Sequence, residues 1–284
     1  MSAAGNFGAS APANLSRMRQ FGTNLAAGLA AAVRRPNPDA RRPAWPPRGR
    51  VVLSAAAAIL VVAAAMFLLD AWSLGNVRSL PWIVVVFFDN FTELGLSGWF
   101  LFPTAILLLA IAVIDRPTAP RLQRGVLAAV ATRLGFVFAA IAVPGLFVAL
   151  IKRLIGRARP FVDGHDSWAY TLFAWRPDYA SMPSGHSTTA FAAAVAIGAI
   201  WPQARVVMWI YAVLIAFSRV IVAAHHPSDV IAGAIVGTLG ALLVRQWFAA
   251  RRLGFLVRSD GAVHRLPGPS WRRIKSVARR LVSA

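Results

Sequence analysis

The sequence predicts an all-α, polytopic membrane protein: a six-transmembrane-helix bundle with a short interfacial helix before the second span. Three observations carry this expectation. Of 284 residues 58% are apolar and only 14% charged, with a mean hydropathy of +0.61, too apolar for an ordinary soluble domain. The apolar residues are gathered into runs long enough to cross a bilayer. Thirty Lys and Arg stand against ten Asp and Glu, a formal charge of +20, and they flank those runs, where they suit anionic headgroups better than nucleic acid. Cysteine is absent, which excludes disulfides, thiolate metal sites and a Cys nucleophile.

Residues 1–50 carry eight Arg and one Asp among Ala, Pro and Ser, and read as a loose, basic cytoplasmic tail without the apolar run of a signal peptide. Within it, Leu25 to Val33 fits either a short amphipathic helix on the membrane surface or an Ala-rich disordered stretch. From Val51 to Leu69, nineteen consecutive uncharged residues, at ~1.5 Å rise each, approach the ~30 Å thickness of the hydrocarbon layer. Leu80 to Asn90 is apolar but short, and reads as an interfacial or re-entrant helix. Five further spans follow at Ser97–Ile114, Leu134–Ile151, Ser187–Trp201, Val206–Ala224 and Val230–Trp247. The fourth span of the six is the shortest and is Ala-rich. Trp72, Trp82, Trp99, Trp201 and Trp247 fall near span ends, where indoles favour the headgroup zone. Gly233, Gly237 and Gly240 give the last span a small-residue face for close helix packing. The chain thus divides into a tail (1–50), a membrane domain (51–248) and a second basic cytoplasmic tail (249–284).

Six spans put both termini on one side, and their basic character assigns that side to the cytoplasm. This places twenty-three of the thirty Lys and Arg inside and seven outside: Arg78, Lys152, Arg153, Arg157, Arg159, Arg176 and Arg219. The expected location is the inner membrane, multi-pass, with the outward face toward the periplasm. Most of the outward cations form one cluster that the topology rule does not explain.

That cluster reads KRLIGRARP. Lys152 and Arg159 are seven residues apart, two turns and one face if the third span continues outward until Pro160 ends it. Two convergent cations make a phosphate cradle, while snorkelling to headgroups explains them equally well. Arg153 and Arg157, on another face, read as snorkelling. Next, Pro183, Ser184, Gly185 and His186 open the fourth span. A helix N-terminus offers free N–H groups and a positive dipole, Ser184 adds a hydroxyl, and Gly185 permits close approach of an anion. His186 is there either a proton donor to a leaving oxygen or a polar cap. Finally, SRVIVAAHHPSD supplies Ser218, Arg219, His225, His226 and Asp229. An intramembrane cation such as Arg219 needs a partner or a wet cavity. Pro227 favours an extended His226 and a helix start, so Asp229 reaches back toward His225, fixing the tautomer that leaves its other nitrogen free to attack. His226 reads as supporting or interfacial. Adjacent, diverging histidines without Cys or a second nearby carboxylate disfavour a metal centre.

These three segments, K-x6-R-P from Lys152 to Pro160, P-S-G-H from Pro183 to His186 and S-R-x5-H-x3-D from Ser218 to Asp229, resemble the signature of the type-2 phosphatidic acid phosphatase superfamily, which also includes vanadium-dependent haloperoxidases. The resemblance covers roughly Val51 to Phe248. It implies a membrane phosphatase without metal or cofactor. In it His225 attacks phosphorus to give a phosphohistidine, Asp229 orients His225, and His186 protonates the departing oxygen. Lys152, Arg159, Arg219, Ser184 and Gly185 hold the phosphate oxygens. The implied partners are the bilayer and a lipid phosphate, not nucleic acid; oligomeric state is left open. Undecaprenyl pyrophosphate is the expected substrate, with phosphatidate, phosphatidylglycerophosphate and a lipid A phosphate as alternatives. From another class, a lipid transporter or interaction protein would keep the cradle without turnover. Haloperoxidase chemistry is disfavoured because those relatives are soluble. The loop from Phe161 to Met182, with Trp168, Tyr170, Phe173 and Trp175 among three Asp and His165, either shapes a lipid entrance or anchors the fold.

Overall fold

A computed structural model describes residues 13–36, 46–114, 119–162, 164 and 167–283. Its elements in order are α1 (Ala13–Val33), α2 (Arg48–Ala65), a π-helical turn (Met66–Asp70), α3 (Ala71–Val77), α4 (Trp82–Thr92), a 3-10 turn (Glu93–Gly95), α5 (Gly98–Val113), α6 (Arg121–Ile155), α7 (Gly185–Ile200), α8 (Arg205–Ile221) and α9 (Pro227–Ala250). A two-stranded hairpin, β1 (Phe255–Val257) and β2 (Val263–Arg265), and α10 (Trp271–Val282) complete it. The molecule is all-α and multi-pass, as expected.

Among the described residues five helical stretches are long and apolar enough to cross a membrane: Arg48–Val77, Trp82–Val113, Arg121–Ile155, Pro202–Ile221 and Pro227–Ala250. The fourth expected span, α7, is a shorter apolar helix of 16 residues. It can be short because it is the centre of the bundle. Ala190, Ala192, Ala193, Ala194 and Ala196 are sealed among α6, α8 and α9, and their small side chains let the neighbours close in. The outer helices do the reverse. Leu53, Ile59, Leu60, Phe67 and Leu68 on the first span are about 70% exposed, a surface that only lipid tails would solvate favourably. The short helix expected before the second span is α4. Leu96, in extended conformation, separates its 3-10 extension from α5.

Glycines set the closest approach. A Cβ on Gly237 would lie 2.3 Å from the Thr188 carbonyl oxygen, and one on Gly233 2.4 Å from that of Ser184, so α7 and α9 touch backbone to backbone. Gly240 similarly admits the ring of Pro144 from α6. Gly237→Val is therefore expected to force the helices apart at a cost of about 3 kcal/mol. Its check is a thermal scan in detergent, where the midpoint falls by roughly 5 °C or more.

The tails are more ordered than the sequence suggests. In the N-terminal segment, where residues 1–12 and 37–45 lie outside the described residues, α1 packs on α5. The buried Asn24 amide donates to the carbonyls of Ala112 (2.8 Å) and Ile114 (2.9 Å), and Trp247 Nε1 donates to the Ala32 carbonyl at 2.9 Å. In the C-terminal segment Ile274, Val277 and Leu281 of α10 lie three and four residues apart and pack on Val126 and Leu127 of α6. Apolar spacing inside basic segments is what ties both down.

Candidate active site

Because α6 to α9 alternate in direction, the C-terminal ends of α6 and α8 and the N-terminal ends of α7 and α9 meet at one end of the bundle. All three motifs lie there. The Ser184 N–H, at the cap of α7, donates to the Asp229 carbonyl of α9 at 2.9 Å, joining the second motif to the third.

The first motif departs from the expected helix. α6 stops at Ile155, because Gly156 adopts a left-handed conformation (φ 61°) and its N–H closes on the Lys152 carbonyl at 3.1 Å. A side chain there would collide with the Thr171 carbonyl, 1.6 Å from the Cβ position. Lys152 and Arg159 are therefore not two turns apart on one helical face. Beyond the cap the chain runs extended beside the loop, with Arg157 bridged to Tyr170 and the Ala158 N–H donating to the Ala169 carbonyl at 2.9 Å. Arg159 is half-buried and held by the segment ahead of α7: its backbone N–H reaches the Asp178 carbonyl (2.8 Å) and its Nε the Pro177 carbonyl (3.2 Å).

Arg157 corrects the snorkelling expectation outright. It is 1% exposed and sits at the centre of a buried network. Nη1 donates to Asp229 Oδ1 and Ser228 Oγ, both at 2.7 Å; Nη2 donates to Asp70 Oδ2 at 2.7 Å and the Ser167 carbonyl at 2.8 Å. Burial alone would lower its pKa, but the carboxylates of Asp229 and Asp70 outweigh that and raise it, so the guanidinium stays charged. The turn at Gly156 explains the error: it aims Arg157 inward instead of along the helix toward headgroups.

Asp229 lies in the first turn of α9 and closes a capping box with His226, whose backbone N–H donates to Oδ2 at 2.9 Å. Ser181 Oγ donates to the same oxygen at 2.6 Å. His225 Nδ1 stands 3.8 Å from Oδ2 and 3.5 Å from Ser181 Oγ, whereas His226 Nδ1 is closer, at 3.2 Å. The carboxylate thus faces His225 as expected but touches His226 first, because a capping box reaches back three residues and not four. Burial pushes the His225 imidazole down to about 4; Asp229 opposes this and the charges of Arg159 and Arg219 reinforce it. His225 is accordingly neutral near pH 7, with Nδ1 on the side of the acid.

Lys152 of the first motif and Gly185 and His186 of the second line one cavity. The His186 ring packs on Gly95, where a Cβ would come within 3.1 Å of it. Arg219, 8% exposed, finds its partner in Thr92 at the end of α4, with Nη1 donating to Oγ1 at 2.8 Å; Ser218 Oγ donates to the same oxygen at 2.9 Å. Ser184 Oγ is buried without a hydrogen-bond partner among the described residues. A cavity of about 430 Å³ opens between α5 and α6, with Leu101, Ile141 and Leu146 on its walls and Lys152, Gly185 and His186 at its polar end. Among the described residues no group of three His, Asp or Glu side chains converges as metal ligands.

The sequence reading missed Asp70, Arg157, Ser181, Ser228 and Thr92. Asp70 carried a signal, being the acid that ends the first apolar run. Ser181, Ser228 and Thr92 carried none beyond nearness to the motifs. From the loop Trp168 packs on Phe67 of the first span, ring centroids 4.9 Å apart and tilted by 49°, an anchoring contact, while Phe173 and Trp175 stay about 70% exposed; Asp163, His165 and Asp166 lie outside the described residues.

Comparison with known proteins agrees with the motifs. Residues 133–253 match the model of the PAP2 superfamily. The chain is 39% identical over 128 residues to a lipid A 1-phosphatase of Rhizobium etli, a match covering 44% of this chain and 55% of that protein, so it spans about half the length of that relative. It is 35% identical over 136 residues to a decaprenylphosphoryl-5-phosphoribose phosphatase of Mycobacterium tuberculosis, covering 48% of this chain and 68% of that one. The crystal structure of Aquifex aeolicus LpxE is similar with a TM-score of 0.45 and 22% identity, over 62% of this chain and 94% of that one. With the family match running from within α6 to just past α9, and over two thirds of the mycobacterial protein aligned, the chain belongs to the PAP2 superfamily.

Proposed function

We propose that this protein is a metal-independent membrane phosphatase for a lipid-borne phosphate, working at the periplasmic face of the inner membrane with both termini in the cytoplasm. The observation that carries the reading is the cavity whose apolar walls lead to Lys152, Gly185 and His186. An amphiphile would lay its chains against the walls and its phosphate beside Lys152, Gly185 and His186. Both curated relatives are phosphatases by name, one for the 1-phosphate of lipid A and one for a phosphoribose on a decaprenyl carrier. A phosphate on a lipid-linked sugar is the chemistry the two names share, which favours a phosphorylated glycolipid over undecaprenyl pyrophosphate. The excess of cations on the side opposite the motifs, twenty-three of thirty, supports the orientation.

In the proposed reaction the His225 Nε2 lone pair attacks phosphorus as the bond to the leaving oxygen breaks, and His186, which takes up a proton from solvent when the phosphate anion binds beside it, gives that proton to the oxygen. Asp229 stabilises the positive charge that develops on the imidazole. Water then attacks phosphorus, His186 takes its proton, and the P–N bond breaks to release phosphate. Lys152, Arg159, Arg219, the Ser184 hydroxyl and the Gly185 N–H stabilise the equatorial oxygens throughout. Because His225 must be neutral, kcat/KM is expected to fall on the acid side only as the pH approaches about 4, and a pH–rate profile checks this. An acid limb centred near pH 6.5 or above would count against a buried nucleophile.

The test is phosphate release by purified protein from a panel of lipid A 1-phosphate, undecaprenyl pyrophosphate, phosphatidate and phosphatidylglycerophosphate, with and without EDTA. Turnover of at least one lipid, unaffected by chelator and blocked by orthovanadate, is expected. Silence on every lipid would favour a non-catalytic binder. Activity lost in EDTA and restored by magnesium would refute the metal-free assignment.

A further inference from the structure

We propose that Asp70, on the first membrane-spanning stretch, is a positioning residue for the carboxylate behind His225: it takes one arm of the Arg157 guanidinium and so keeps that cation from neutralising Asp229. The inference rests on the phosphatase reading and assigns a role outside the three motifs. Asp70 is fully buried in the π-helical turn, at the level of the bundle end that holds the site. Oδ2 accepts from Arg157 Nη2 (2.7 Å) and Ser228 Oγ (2.6 Å), and Oδ1 from the Ser228 N–H (3.0 Å). The other arm of Arg157 holds Asp229 Oδ1 at 2.7 Å. Two buried carboxylates therefore share one cation, and the set carries a net charge of −1.

The chemistry needs that residual charge. As the bond from His225 to phosphorus forms, the imidazole becomes cationic, and a carboxylate already cancelled by its own arginine would stabilise it poorly. With Asp70 present, the guanidinium is divided between two acids and its fork is fixed in orientation. Without Asp70, the whole cation falls to Asp229 and the set becomes neutral. Ser228 acts as the spacer, giving its hydroxyl proton to Asp70 while its oxygen accepts from Arg157. A purely structural ion pair would need only one acid; the second acid, on a distant helix, is what this role explains.

The test is a charge cycle on the full-length protein in detergent, using whichever lipid phosphate the wild type hydrolyses, together with orthovanadate affinity by calorimetry. Asp70→Asn is expected to lower kcat about 30-fold, leave KM within about threefold, and weaken vanadate binding at least tenfold. Asp70→Asn combined with Arg157→Gln restores the net charge of −1, and is expected to recover at least tenfold of the lost kcat. A double variant no better than the single, or a single variant with wild-type kcat, would overturn the role. Should Asp70→Asn not fold, the double variant alone decides: kcat within about tenfold of wild type supports the role, and a loss of 100-fold or more contradicts it. Wild-type protein that neither releases phosphate nor binds vanadate would defeat the phosphatase reading and this inference together, whereas an active wild type matched by its Asp70→Asn variant defeats the inference alone.

Discussion

His225→Ala is expected to abolish phosphate release, with a loss on the order of 10⁴-fold or more in kcat, while the protein keeps its helical content and elution volume in detergent. The size follows from the role. The other buried imidazole beside Asp229, His226, is the N-cap of α9 and is held in its capping box, so it is not placed to take over the attack on phosphorus. The fold should tolerate the change because His225 makes few structural contacts: Nδ1 sits 3.5 Å from Ser181 Oγ and 3.8 Å from Asp229, both of which keep other partners. His226→Ala separates the two histidines. It removes a side chain 3.2 Å from Asp229, and is expected to cost about tenfold in activity and not to silence the enzyme. If His226→Ala were the silent variant and His225→Ala the active one, the roles of the pair would have to be exchanged.

Arg157→Met is expected to be the most destabilising single substitution in the chain, by about 3–5 kcal/mol, because it leaves two buried carboxylates without their cation. Four acceptors on three segments lose a donor at once: Asp70, Ser167, Ser228 and Asp229. Arg157→Lys keeps the charge but has one ammonium where a two-armed fork is needed, so it should recover only part of the loss. The contrast is Arg176→Ala. Its ion pair with Asp178 spans 3.4 Å between side chains that are 72% and 54% exposed, and its removal should change stability by less than about 1 kcal/mol. Thermal scans of the three variants in one detergent check the order, and a near-neutral Arg157→Met would remove the buried network from the account.

The two arginines also show where sequence reading reached its limit. The spans were legible because apolar run length is a direct physical requirement of the bilayer, and the placement of His186 and His225 at helix starts because Gly185 and Pro227 lie within two residues of them: Gly185 at the start of α7, Pro227 fixing the entry to α9. The small-residue face of α9 was legible in the same way, since only glycine admits the Thr188 backbone at Gly237. Arg157 was not, because its direction depends on α6 ending at Gly156, and a glycine inside an apolar, basic run is equally compatible with a helix that continues. Asp70 showed as an acid at the end of a span, but its partners are supplied by segments far along the chain. Likewise the order of α1 and α10 depends on surfaces of α5 and α6 that the tails themselves do not reveal.

The central claim is that distant segments place a neutral His225 against a bound phosphate, and trapping the covalent intermediate tests it most directly. A lipid phosphate labelled in the phosphoryl group is mixed with the protein, quenched in base within milliseconds, digested and mapped by mass spectrometry. The account predicts an acid-labile, base-stable phosphoryl group on the peptide containing His225, absent in His225→Ala. Phosphate release at the normal rate with label on no histidine, or on His186 or His226 instead, would contradict it.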